Sequence, residues 1–102
     1  MSMQNLLKQA QQMQASIARI EQELNDSIYF GTAGGNAVKV EMKGTCEIVN
    51  IEIEESLLEK NSREMLQDMI MLAVNNAVQN AKADREEKMG AVTQGVKLPG
   101  IM

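Results

Sequence analysis

The sequence predicts an α+β fold, a single domain over residues 1–102 with the element order α-β-β-β-α, assembled as a homodimer. Three observations predict it. Apolar residues recur at alternating spacings of three and four from Met3 to Leu24. Short segments between residues 27 and 54 alternate apolar with polar side chains. A second long helical pattern follows Asn61 and is apolar on every side at its centre.

Residues 1–26 read as a helical arm. Met3, Leu6, Ala10, Met13, Ile17, Ile20 and Leu24 fill the a and d positions of a heptad sustained over three repeats. The residues between are mostly Gln, Ser, Ala and Glu, with no Gly or Pro before Gly31. A continuous 3.5-residue period favours a straight seam against another helix over a helix lying on its own domain.

Residues 27–54 read as a three-stranded antiparallel meander. The segment from Ser27 to Thr32 is β-prone, and Gly34, Gly35 and Asn36 signal a turn. Val38, Val40 and Met42 alternate with Lys39, Glu41 and Lys43. Gly44 and Thr45 turn the chain into Val49, Ile51 and Ile53, which alternate with Asn50 and Glu52. Ile48 breaks that parity and marks a bulge or a doubly covered strand start. The apolar face of this meander needs a cover.

A short helical turn is expected at residues 56–60. Asn61, with Glu64 three residues on, is expected to cap a long helix over residues 62–90. Its stretch from Met69 to Val74 is apolar all round, which predicts burial on more than one side. Gly90 is the expected stop, and residues 91–102 read as a flexible tail. At 1.5 Å per residue the two helices would run roughly 35 and 40 Å. A compact chain of this length has a radius of gyration of only about 13 Å. Both helices therefore overhang, and a symmetric homodimer is the simplest way to cover them. Met13, Ile17 and Ile20 on the first helix and Met69, Ile70 and Ala73 on the second are the candidate interface residues.

Composition removes several function classes. The 102 residues include one Tyr, one Phe and no Trp, so stacking platforms for single-stranded nucleic acid are lacking, and nine Met supply much of the bulk. There is no His, which removes the commonest general base and every Ser-His or Cys-His arrangement. Cys46 is alone and reads as a small residue in or beside a strand. Glu52, Glu54, Glu55 and Glu59 read as a solvated acidic edge, without the loop of a calcium site. The glycines form turns and no phosphate-binding motif. No cofactor, metal, small-molecule substrate or membrane span is expected, and the expected location is cytoplasmic.

The net charge of −4 gives no support for nucleic acid on its own. Its distribution is uneven, however. Residues 1–20 carry Lys8 and Arg19 and no acid, whereas residues 47–68 carry seven acids against Lys60 and Arg63. Lys82, Arg85 and Lys88 recur at spacing three along the distal part of the second helix. The ordinary reading of these cations is pairing with Glu21, Glu23, Asp84, Glu86 and Glu87. Spacing and charge alone do not establish DNA binding.

The order of motifs resembles the YbaB/EbfC family of bacterial nucleoid-associated proteins over nearly the whole chain. The resemblance is carried by Leu7-Lys8-Gln9-Ala10-Gln11-Gln12-Met13-Gln14, by Gly34-Gly35 with Val38-Lys39-Val40, and by Gly44. Ile51-Glu52-Ile53 with Ser56-Leu57-Leu58, Glu64-Met65-Leu66-Gln67-Asp68, Asn75-Asn76-Ala77 and Leu98-Pro99-Gly100 complete it. It implies an intertwined, tweezer-shaped homodimer with protruding helical arms, no catalytic residues, and binding to double-stranded DNA in the bacterial nucleoid, with influence on its organisation or on gene expression. Lys8, Arg19, Lys82, Arg85 and Lys88 are then the expected phosphate contacts, with Gln4, Gln11 and Gln12 adding neutral hydrogen bonds. The chain departs from its relatives in lacking a Gly-rich N-terminal lead, in Glu55 where a Pro is common, and in Phe30 where a smaller or polar residue is usual. A protein-interaction adaptor, whose arms receive a partner helix, is the alternative.

Overall fold

The computed structural model describes residues 2–94. Helix α1 spans Met3–Asp26, strands β1 Ile28–Ala33, β2 Val38–Lys43 and β3 Ile48–Ile53 follow, and helix α2 spans Arg63–Gln94. Two 3-10 turns, Glu55–Leu58 and Lys60–Ser62, join β3 to α2. The α+β order predicted from the sequence is the observed one.

Local chemistry explains each boundary. The Ser2 side chain accepts a hydrogen bond from the Asn5 N–H and caps α1. At the other end the Ser27 hydroxyl donates to the Glu23 carbonyl at 2.7 Å, and the Ser27 N–H donates to the Leu24 carbonyl. Gly34, Gly35 and Asn36 all take positive φ and turn β1 into β2. Asn61 lies inside the second 3-10 turn, so α2 is entered by tightening that turn rather than through an Asn61 cap. Gly90 does not stop α2, which runs on to Gln94. A helical glycine costs about 1 kcal/mol relative to alanine, which its helix-compatible neighbours can carry. Residues 95–102, the rest of the expected tail, lie outside the described residues.

The sheet has the order β1-β2-β3, antiparallel throughout. Across β2 and β3, Glu41 pairs with Asn50 and Met42 with Ile48, which leaves Val49 extra: Ile48 begins a β-bulge. Val38, Val40 and Met42 point to one face and are fully buried there with Ala33, Leu57, Ala73 and Ala77. That face is covered by α2, which crosses β1 and β2. The approach is close at Gly31, where any Cβ would collide with the backbone of Ala73 and Ala77. Gly44 plays the same part for α1: a Cβ there would strike the Leu24 carbonyl, and the Gly44 N–H donates to Ser27.

Cover is incomplete. Ile48, Val49 and Ile51 remain exposed on β3, as do Met65, Met71 and Leu72 on α2. The all-round apolar stretch of α2 is thus buried on one side only within the chain. The molecule is long, 70 × 26 × 15 Å, with a radius of gyration of 19.9 Å. Its accessible surface of 7830 Å² stands well above the roughly 5,700 Å² of a compact chain of this mass.

Candidate nucleic-acid interface

The two helices run antiparallel beyond the sheet. Leu24, Val78 and Ala81 line one small recess with Tyr29, Gly44 and Cys46. One turn further out the Arg85 guanidinium lies 4.0 Å from the Glu21 carboxylate. Counting outward at 1.5 Å per residue, the last described turn of α2 comes level with about Met13. The first turns of α1 therefore extend past it. The heptad seam records this gradient. Leu24 is buried, Met13, Ile17 and Ile20 are half-buried, and Leu6, Leu7 and Met3 are 49, 61 and 78% exposed.

Lys8, Gln11, Gln12 and Arg19 are all exposed on α1. Spacings of four and seven place Lys8, Gln12 and Arg19 in one stripe, turned away from the Met13–Ile17–Ile20 seam, with Gln11 beside it. The stripe is about 16 Å long. Gln4 is exposed nearer the tip of the same helix. Among the described residues Lys8, Arg19 and Lys82 have no ion-pair partner, whereas Arg85 faces Glu21 and Lys88 lies 3.1 Å from Asp84. The exposed Arg85–Glu21 pair at this distance is worth at most about 1 kcal/mol.

Two polar arrangements hold α2 to the sheet, and neither was visible as a motif. The Tyr29 hydroxyl on β1 donates to the Asp84 carboxylate, which also pairs with Lys88 one turn along α2. Burial, and then the hydrogen bond to Asp84, push the Tyr29 phenol above its ordinary pKa. The Tyr29 hydrogen bond, helped by Lys88, holds the Asp84 carboxyl below its ordinary value, and the Asp84 contact raises Lys88. Separately, Asn76 and Asn80, one turn apart on α2, reach the outer edge of β1. The Asn76 side-chain oxygen accepts from the Thr32 N–H at 3.3 Å, and the Asn80 amide donates to the Phe30 carbonyl at 2.7 Å. Two asparagines one turn apart, among Ala73, Val74, Ala77, Val78 and Ala81, were the available signal.

The candidate self-association residues fall into two groups. Met13, Ile17 and Ile20 keep part of their surface, whereas Met69 and Ile70 pack against the chain's own core and Ala73 has no accessible surface. Phe30 is exposed on the opposite face of the sheet, with the Lys39 ammonium 4.8 Å from its ring centre. Cys46 is exposed in the β2–β3 turn, beside the start of β3. Among the described residues no three Asp, Glu or Cys side chains converge as metal ligands, and no helix is long and apolar enough to cross a membrane.

Comparison with known proteins identifies the family to which this fold and sequence are similar. A family model described as the YbaB/EbfC DNA-binding family matches residues 1–96. The chain is 43% identical to a nucleoid-associated protein of Pelotomaculum thermopropionicum, over 98% of this chain and 95% of that protein. It is 38% identical to a nucleoid-associated protein of Desulfotalea psychrophila, over 99% and 95% of the two chains. The crystal structure of an uncharacterized protein from Helicobacter pylori superimposes with a TM-score of 0.69 at 28% identity, over 85% of this chain and 91% of that one.

Proposed function

The chain belongs to the YbaB/EbfC DNA-binding family, and on that premise we propose a non-enzymatic nucleoid-associated protein that binds duplex DNA as a homodimer through its helical arms. The observation that carries the reading is the stripe of Lys8, Gln12 and Arg19 on an acid-free stretch of α1 whose first turns extend past the last described turn of α2. The acids that make the chain negative are concentrated elsewhere, in residues 47–68. A duplex held between two arms would meet the cations before it met the acidic body. Lys8, Arg19 and Lys82 contact phosphates directly. Arg85 and Lys88 exchange their weak carboxylate contacts for phosphate oxygens, and Gln4, Gln11 and Gln12 add neutral hydrogen bonds. Such contacts position the duplex without reading its bases. The protein works in the cytoplasm on the bacterial nucleoid, and its effect on nucleoid organisation or expression follows from occupying and shaping DNA.

Self-association supports the arms in this reading. The half-buried Met13, Ile17 and Ile20 and the exposed apolar residues of α2 and β3 are surface that a second chain would cover. The exposed Met3, Leu6 and Leu7 at the arm's tip favour a second reading, in which the arms receive an amphipathic helix of a partner protein.

Gel-shift titration of the purified protein at two salt concentrations separates the two. With Lys8, Arg19 and Lys82 of both chains neutralising six phosphates, and ten once Arg85 and Lys88 exchange their carboxylates, log K should fall against log salt with a slope of about −5 to −9. Lys8→Gln removes one contact from each arm and should reduce that slope by about 2. Binding that is absent at low salt, or indifferent to salt, overturns the DNA reading and leaves the partner helix.

A further inference from the structure

Three parallel stripes run along α1, and the middle one is neither apolar seam nor cation stripe. Gln4, Leu7, Gln11 and Gln14 each follow one residue of the seam, Met3, Leu6, Ala10 and Met13 in turn. One residue is a rotation of about 100° around the helix, so these four share a face of their own. Lys8 and Gln12 follow Leu7 and Gln11 by one further residue. The middle stripe therefore lies between the seam and the cations.

Packing within the chain does not account for this stripe. All four residues are exposed, Leu7 at 61%. Leu7 stands outside the heptad, so the seam does not explain it. Among the described residues the amides of Gln4, Gln11 and Gln14 have no hydrogen-bond partner, whereas Gln22, further along the same face, donates to the Asp26 carboxylate at 3.3 Å. An apolar group between two free amides matches the edge that A·T pairs present in the major groove: adenine N7 and N6, and the thymine methyl.

We propose that this uncharged stripe faces the floor of the major groove and selects A·T pairs, with Gln4 and Gln11 bonded to adenine and Leu7 packed on a thymine methyl. This rests on the DNA reading above and adds the bases that the arm prefers. Each glutamine amide donates to adenine N7 and accepts from the N6 amino group. On guanine its oxygen would face a second acceptor instead. Three observations select a duplex as the occupant. First, the first twenty residues carry Lys8 and Arg19 and no acid, which suits an anion. Second, Gln4 and Gln11 lie about 10.5 Å apart along the axis, close to three base-pair steps of about 3.4 Å, with Leu7 between them. Third, the cations stand one residue around the helix, where they meet the phosphates that border the groove. A helix about 10–12 Å across fits the major groove, about 12 Å wide, and not the minor groove, about 6 Å wide. Phosphate contacts hold the arm in place, and the amides beside them read the bases.

Fluorescence anisotropy of the full chain with short duplexes of equal length, at one low salt concentration, tests the assignment. The wild type should bind an A·T duplex at least about 10-fold more tightly than a G·C duplex. Two altered bases then change the major groove alone: uracil lacks the thymine methyl, and 7-deazaadenine lacks N7. Uracil should weaken wild-type binding by about 3-fold and make no difference to Leu7→Ala. 7-Deazaadenine should weaken it by about 10-fold and make no difference to the double variant Gln4→Ala, Gln11→Ala. These side chains are exposed and uncharged, so the variants should keep the wild-type circular dichroism and salt slope. An A·T preference that survives both altered bases comes from groove shape and overturns the assignment. Equal binding to A·T and G·C duplexes also overturns it. A Leu7→Ala variant that keeps the uracil effect overturns the methyl contact and leaves Leu7 to a partner helix. A chain that binds neither duplex overturns the DNA reading itself.

Discussion

Strands β1 and β3 are both six-residue edge strands flanking the same central strand, yet their surroundings are opposite. Over β1 the helix comes so close that Gly31 and the small side chains of Ala73 and Ala77 are required, and two asparagines close the strand's free edge. Over β3 larger residues, Ile48, Val49 and Ile51, stand without helical cover. The difference teaches that apolar residue type alone does not mark the core of this chain. β1 contributes to the core through what it omits, whereas the apolar residues of β3 stay partly in solvent.

The largest expected effect breaks the β1 side. Gly31→Val forces a branched side chain against the backbone of Ala73 and Ala77, which cannot rotate away as a flexible side chain would. Overpacking of an ordinary core costs about 1–3 kcal/mol, and a backbone clash belongs at or beyond the top of that range. For a domain whose whole stability is of the order of 5–15 kcal/mol, urea denaturation should show a midpoint shifted by a large fraction, or no cooperative transition. The mirror experiment on β3, Ile51→Val, should cost under about 0.5 kcal/mol in the monomeric chain, because that side chain is largely in solvent. Equal losses at the two sites would remove the contrast.

The next effect is smaller and concerns the edge itself. Replacing Asn76 and Asn80 together by alanine leaves the Thr32 N–H and the Phe30 carbonyl without their partners. Water reaches both groups, so the stability loss should be about 1 kcal/mol. The informative consequence is association. With β1 open as well as β3, each chain has two unguarded edges, and size-exclusion chromatography with light scattering should show species larger than the wild type that grow with concentration. A double variant that keeps the wild-type mass at every concentration would show that the asparagines do not guard the edge.

Periodicity made the architecture legible because it is local. The heptad from Met3 to Leu24 and the alternation of Val38, Val40 and Met42 report which side of an element is apolar, and both elements form where expected. The ordinary pairing of Arg85 and Lys88 was equally legible, since Glu21 and Asp84 are the acids they meet. Periodicity does not report what lies against an apolar side. Val49 and Ile51 carry the same signal as Val38 and Val40, but α2 reaches only the latter pair. The Tyr29–Asp84 hydrogen bond joins residues 55 positions apart, and the reach of Asn76 and Asn80 to β1 depends on the rotation of α2 over Gly31. For the same reason the free state of Lys8, Arg19 and Lys82 could be read only once α1 and α2 had been placed.

The smallest expected effect lies at the turn that leads into β3. The Cys46 N–H donates to the Lys43 carbonyl at 2.8 Å, the Lys43 N–H donates to the Glu47 carbonyl at 2.8 Å, and Cys46 holds a φ of 73°. This is a tight turn followed by one left-handed residue, the position where hairpins of this kind favour glycine. A side chain there costs roughly 1–2 kcal/mol, and glycine returns part of that gain through its greater freedom in the unfolded chain, about 0.4–1 kcal/mol. Cys46→Gly should therefore stabilise the protein by about 0.5–1 kcal/mol, read as a higher urea midpoint at unchanged slope. Cys46→Ala removes the thiol but keeps the Cβ, so it should leave the midpoint where it was. If glycine and alanine stabilise equally, the gain comes from losing the sulfur and not from relief of the backbone. If only glycine stabilises, the turn is strained, and the bulge and open edge that follow it are held in place at a cost to the folded chain.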